Sequence, residues 1–263
     1  MPELPEVEIM ARNLQVWFGG RRLRRVEILD PKFEHERWES LTNREFVGAT
    51  RRGKYAVVRM TGDQSLVFHY RMTGKTVLDP HSRRKARLRF FADEAVVVSF
   101  VDPRRFGTVD IVATPHLDDF FNQKNLGPEP WPMPRKGEWW AERLGRVRSP
   151  IKVALMRQDR VAGLGNIASS EVLFRSGIHP VQQANDLTLL EWQRIGESVH
   201  AFIEHTLDQE SSEEIQYVNQ GGEGSFSVYG QAGSPCPQCG LSIERLSLSG
   251  RSTFFCPKCQ PLS

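Results

Sequence analysis

Four cysteines near the C-terminus constrain this chain more than any other feature. In CPQCG and FFCPKCQ, two residues separate Cys236 from Cys239 and Cys256 from Cys259, with sixteen residues between the pairs. Each Cys-x-x-Cys turn offers two sulfurs to one side of a tetrahedron, so the spacing reads as a four-thiolate zinc site. Such a zinc is structural, because four thiolates leave no position open for water. Two disulfides are the competing reading, and they belong to oxidising compartments. The first residues carry acids instead of a basic stretch followed by an apolar run, so no secretory signal is read. No run of about 18 apolar residues is present to span a membrane. A cytoplasmic setting with reduced thiols follows from these readings.

Charge is unevenly spread. Between Arg51 and Arg105 there are 13 Lys or Arg against 5 Asp or Glu, a local balance of +8 in a chain whose total is +3, which leaves −5 for the remainder. A concentrated basic field on a slightly acidic body is the footprint of phosphate binding, although a solvated sheet face has the same composition.

The 263 residues suffice for two domains, or for one large domain with an appendage. The opening MPELPEVEI predicts a helix: Pro5 suits its first turn, Val7, Met10, Leu14 and Phe18 fall near one face, and Gly19-Gly20 ends it. From Val26 to Ala113 short β-rich runs such as YAVVRM, SLVFHYRM, ARLRFF and AVVVSFVD alternate with turn signals, which predicts a sandwich or a barrel. Asn125 to Arg148, with Pro128, Pro130, Pro132 and Pro134, reads as a loop-like interdomain linker. Beyond Pro150 the pattern turns helical over Ile151–Arg157, Ser169–Arg175 and Thr188–Leu207, the last opened by a Thr188/Glu191 capping box.

Several stretches can carry chemistry. If Met1 is trimmed, Pro2 presents a secondary amine able to act as a nucleophile, and an ordinary amphipathic helix does not account for the Pro2-Glu3 start. GLGNIA, Gly163 to Ala168, matches a dinucleotide-binding fingerprint, but no clear β-run precedes it. A tight turn between helices, with backbone N–H groups and Asn166 available to a phosphate, fits better. Lys54 in RRGKY is placed at the start of a strand. Arg104, Arg105 and Phe106, following Asp102-Pro103, form a tip that could wedge into a base stack or simply close a hairpin. His69 reads as a satisfied core histidine and Met72 as core.

Taken together, PELPEVE, RRGKY, HYRMTG, DPRRFG, NLGPEP, GLGNIASSEVLFRSGIHP, CPQCG and RSTFFCPKCQ resemble the formamidopyrimidine-DNA glycosylase and endonuclease VIII family, and are most similar to its formamidopyrimidine branch. The blocks run in the family's order from residue 2 to residue 260. The resemblance implies a multidomain α+β fold: residues 1–130 a β-sandwich with the N-terminal helix, 131–224 a linker and helix-two-turns-helix domain, and 225–263 a zinc finger hairpin, with DNA between the halves. It implies a base-excision repair enzyme that removes oxidised, ring-opened or alkylated bases from double-stranded DNA through a Schiff base, with β,δ-elimination. The alternative is a zinc protein that binds damaged DNA without cutting it.

Carried over by motif, Pro2 is the nucleophile, Glu3 the acid/base partner and Glu6 a supporting carboxylate. Lys54 is grouped with the catalytic residues and also grips phosphate, as do Asn166 and Arg251. Met72, Arg104 and Phe106 fill the gap left by the extruded nucleotide. One structural Zn2+ on Cys236, Cys239, Cys256 and Cys259, no nucleotide cofactor, a monomeric state and a bacterial cytoplasmic location complete the expectation. Ala168 stands where the family frequently has tyrosine and Arg71 where it frequently has glycine, and the stretch between Leu207 and Val228 reads as short. These departures bear on base recognition, and they leave oxidised guanine, ring-opened or alkylated purines, and oxidised pyrimidines all open.

Overall fold

The computed structural model describes residues 2–78, 85–93, 96–209 and 226–262. They fall into two compact units, one built on residues 2–124 and the other on 125–208 and 226–262. The stretch expected to be short before Val228 lies largely outside the described residues.

The first unit opens with α1 (Leu4–Phe18) and continues with eight strands, β1 (Leu23–Ile28), β2 (Phe46–Arg52), β3 (Tyr55–Met60), β4 (Gln64–His69), β5 (Lys75–Leu78), β6 (Ala86–Ala92), β7 (Val96–Val101) and β8 (Thr108–Ala113). They form two four-stranded antiparallel sheets, ordered β1-β6-β7-β5 and β2-β3-β4-β8. Of the two expected all-β forms, the sandwich is present. Its interior is aromatic: Phe68 meets Phe90 edge-on at 5.7 Å, and Phe18 of α1 stacks on Phe46 at 4.1 Å. Val7, Met10, Leu14 and Phe18 are all buried, so the predicted stripe is the face by which α1 joins this core. A short α2 (Leu117–Gln123) packs beside β8.

The second unit contains α3 (Gly137–Leu144), α4 (Ile151–Leu155), α5 (Asn166–Ser176) and α6 (Leu189–Gln209), then the hairpin β9 (Glu244–Leu248) and β10 (Arg251–Phe255). α3 corrects the expectation of a loop from Asn125 to Arg148. Its signal was masked by the prolines before it, and tertiary packing stabilises it. Trp140 is fully buried, Gly137 N–H donates to Gln193 Oε1 at 2.7 Å, and a Cβ on Gly196 of α6 would lie 2.7 Å from Trp140 Nε1. The Thr188/Glu191 capping box is formed: Thr188 N–H donates to Glu191 Oε2 at 2.8 Å and Glu191 N–H donates to Thr188 Oγ1 at 3.3 Å. Among the described residues no helix is long and apolar enough to cross a membrane.

Candidate functional site

Pro2 is buried and immediately precedes Glu3, the N-cap of α1. Glu3 and Glu6 form a capping box in which Glu6 Oε2 accepts from Glu3 N–H at 2.8 Å. Glu3 is 2% exposed and Glu6 7% exposed, so the two carboxylates are fixed where Pro2 joins the helix.

Lys54 sits in the Gly53-Lys54 turn between β2 and β3, one residue before the strand expected to contain it. Arg51 supports that turn, donating through Nη1 to Gly53 O at 2.9 Å, while its Nε pairs with Glu8 Oε2 of α1 at 3.3 Å. The Arg51 side chain is only 4% exposed, so this pair is a buried tie that registers the Lys54 turn against α1.

Met72 and the Arg104–Phe106 segment occupy two separate turns. The core reading of Met72 is overturned: the residue is 41% exposed, within the turn that follows β4. Phe106 is 50% exposed, and the Arg104 guanidinium lies 4.8 Å from its ring centroid. Asp102, fully buried at the end of β7, joins the two turns. Its Oδ1 accepts from Thr73 Oγ1 at 2.6 Å and from Arg104 N–H at 3.3 Å, and its Oδ2 accepts from Gly107 N–H at 2.7 Å. Arg105 plays no part at the tip, because its guanidinium grips Asp30 at 2.7 and 2.6 Å and holds that carboxyl below its usual range.

His69 closes β4, just before the turn that carries Met72. Its Nδ1 accepts from Arg71 N–H at 3.2 Å, and Tyr55 meets it edge-on at 4.4 Å. Burial, reinforced by the charges of Arg71, Lys54 and Lys124, lowers its pKa to about 3, so the ring is neutral and its proton sits on Nε2. Arg71 itself has φ 55°, a left-handed conformation that glycine adopts more easily, which explains why a glycine suits this position.

In the second unit Asn166 opens α5 directly after Gly165, its N-cap, and the preceding glycine turn has Gly163 at φ 97°. The turn joins α4 to α5 with no strand before it, so the dinucleotide-fold context is missing here. Asn166 Nδ2 reaches Tyr229 Oη at 3.5 Å. Glu171, fully buried on α5, fixes Tyr229 by accepting from the N–H groups of Ser227, Val228 and Tyr229 at 3.0, 2.9 and 2.9 Å. Ala168 is fully buried in the same helix. Arg251 is exposed at the first position of β10, just beyond the Ser249-Gly250 turn, where both residues have positive φ.

The four cysteine sulfurs all lie within 4.8 Å of one another, with Cys236 to Cys259 at 3.8 Å and Cys239 to Cys256 at 3.5 Å. Zinc–sulfur bonds of about 2.3 Å in a tetrahedron give edges of about 3.8 Å, so the donor set fits one zinc. Buried Lys152 ties the hairpin to α4 through Ser252 O at 3.0 Å and Thr253 Oγ1 at 2.9 Å, while Phe174 of α5 shares an apolar cluster with Cys236 and Cys256.

Family models for the formamidopyrimidine-DNA glycosylase N-terminal domain, its H2TH domain and the zinc finger found in FPG and IleRS match residues 1–109, 126–216 and 233–262. The chain belongs to the formamidopyrimidine-DNA glycosylase family. The Gluconobacter oxydans formamidopyrimidine-DNA glycosylase is 38% identical across 99% of this chain and 100% of its own length. The Rhizorhabdus wittichii glycosylase is 39% identical, with 99% and 100% covered. Among solved structures, Lactococcus lactis Fpg with abasic-site DNA is similar at a TM-score of 0.89, and the same enzyme with N7-benzyl-Fapy-dG DNA at 0.90. Each is 30% identical and covers 99% of this chain and 100% of its own. In this glycosylase, sequence reasoning missed Asp102, Thr73, Arg51 and Glu171. Their contacts join segments distant in the chain, which no local pattern encodes.

Proposed function

We propose that Pro2, once Met1 is removed, is the nucleophile of this chain, a DNA glycosylase of base excision repair with the abasic-site lyase activity of its family. The secondary amine attacks C1′ of the damaged nucleotide, the C1′–N bond breaks, and the base leaves with a proton. Opening of the sugar gives a cationic iminium between Pro2 and C1′. The iminium acidifies C2′, whose proton is lost as the 3′ phosphate leaves, and elimination of the 5′ phosphate follows. Glu3 carries protons at the ring oxygen and C2′, and Glu6 supports it.

The observation that carries this reading is the position of Pro2 directly before a helix whose first turn is locked by Glu3 and Glu6. An α-amino group ordinarily titrates at about 7.7–8.0, so a useful fraction is uncharged near neutrality. The two carboxylates beside Pro2 balance the positive charge of the iminium.

Lys54, Asn166 and Arg251 bind backbone phosphates, with Lys54 also close to the reacting sugar. Met72, Arg104 and Phe106 occupy the gap left by the extruded nucleotide, with Arg104 facing the orphaned base. Zinc on the four cysteines holds the hairpin that presents Arg251 and takes no part in bond breaking. We place the reaction in the bacterial cytoplasm, beside the chromosome, as the bacterial sources of the relatives support.

Borohydride trapping on duplexes carrying an abasic site, 8-oxoguanine, a ring-opened purine or an oxidised pyrimidine tests the proposal and ranks the lesions. A covalent adduct lost when an added N-terminal residue leaves the Pro2 nitrogen an amide, and weakened in Glu3→Gln, supports it. No adduct from protein shown by mass spectrometry to lack Met1 overturns it.

A further inference from the structure

The two turns that carry Met72 and Arg104–Phe106 share one buried carboxylate. Asp102 has no exposed surface, and its 2.6 Å bond from Thr73 Oγ1 has the length of a charge-assisted hydrogen bond. Each turn also holds one non-glycine residue in the left-handed region, Arg71 at φ 55° and Arg105 at φ 60°. Such backbone persists only where its surroundings over-determine it. Arg105 is pinned by Asp30, and Lys32 Nζ donates to Arg105 O at 2.8 Å and to Gly107 O at 2.7 Å. Each turn has a glycine packed too closely to carry a side chain. A Cβ on Gly107 would lie 2.6 Å from the Phe100 ring, and one on Gly74 would lie 2.5 Å from Tyr70 O.

We propose that Thr73 and Asp102 are positioning residues that make the two turns one rigid probe, so that Met72, Arg104 and Phe106 enter the opened duplex together. This inference rests on the gap-filling role proposed above. Filling the gap must offset the unstacking of neighbouring bases, and two turns ordered in advance do so without losing further freedom at the moment of insertion. Thr73 touches no DNA in this scheme. Its hydroxyl sets where Arg104 stands, so it governs discrimination among bases opposite the lesion.

The test compares wild type, Thr73→Val and Thr73→Ser on duplexes with cytosine or adenine opposite the lesion, and on a single-stranded abasic oligonucleotide that has no opposite base. Wild-type trapping of the single strand is the control for the Pro2 chemistry, and its failure would strike the proposed function instead. Thr73→Val is expected to lose about tenfold or more in kcat/KM on duplexes, the effect of a lost hydrogen bond to a charged group. Any difference in wild-type rate between cytosine and adenine opposite the lesion should shrink in Thr73→Val, while the single strand is trapped at the wild-type rate. Thr73→Ser, which restores the hydroxyl, should stay within about twofold of wild type. Equal duplex activity in Thr73→Val and wild type, or an equal loss on duplex and single strand, would overturn the proposal.

Discussion

Glu6 Oε2 accepts a hydrogen bond from the backbone N–H of Glu3 at 2.8 Å, so a side chain one turn into α1 fixes the residue next to Pro2. Glutamine can close the same box, whereas alanine cannot. Glu6→Ala should therefore destabilise the protein by about 1 kcal/mol, read from denaturant unfolding, and Glu6→Gln should stay near wild type. If Glu6 acts only as a cap, Glu6→Gln keeps the wild-type trapping rate. The proposed supporting charge requires it to fall, and borohydride trapping at saturating DNA separates the two.

Lys54 and Arg251 are proposed to neutralise phosphates, and Asn166 to bind one without charge. Each cation released from its phosphate should lower the slope of log affinity against log salt by about 0.9. Lys54→Met and Arg251→Met are each expected to show that change, and Asn166→Ala to weaken binding with the slope unchanged. Fluorescence anisotropy over a salt series measures all three.

Zinc removal should act on the hairpin first. The four sulfurs cannot hold β9 and β10 without the ion, and the apolar cluster that Cys236 and Cys256 share with Phe174 loosens with them. A chelator, or Cys239→Ser, should raise amide exchange in Glu244–Phe255 and weaken DNA binding severely. The rate of adduct formation at saturating DNA should be the least affected quantity. An unchanged affinity after confirmed loss of zinc would contradict the structural role.

His69 makes the fold acid-sensitive. In the unfolded chain its imidazole takes a proton near pH 6.5, and in the fold only near pH 3. Between these values the unfolded chain binds more protons, so stability falls as pH falls, by at most about 1.4 kcal/mol per pH unit from this residue. His69→Gln should show a shallower loss over the same window. Denaturant unfolding of both proteins from pH 7 down to pH 4 checks the difference.

Elements with strong local signals can be read directly along the chain. The Val7, Met10, Leu14, Phe18 stripe, the Thr188/Glu191 cap, the alternating β-runs and the paired Cys-x-x-Cys turns each lie within a few residues of chain, and each appears as expected. Likeness to a known family extended that reading to named residues such as Pro2, Asn166 and Arg251, which local pattern alone left ambiguous. Tertiary structure decided the rest. α3 forms because Trp140 finds a place beside Gly196. Met72 is exposed because β4 ends at His69, and Arg105 is taken out of the tip by Asp30, 75 residues away. Thr73 meets Asp102 across 29 residues and Glu8 meets Arg51 across 43. Hydrophobic periodicity and capping act along the chain and can be read there. A buried carboxylate's choice of partner depends on which donors the folded sheets carry to it, and that is settled only when the strands have paired.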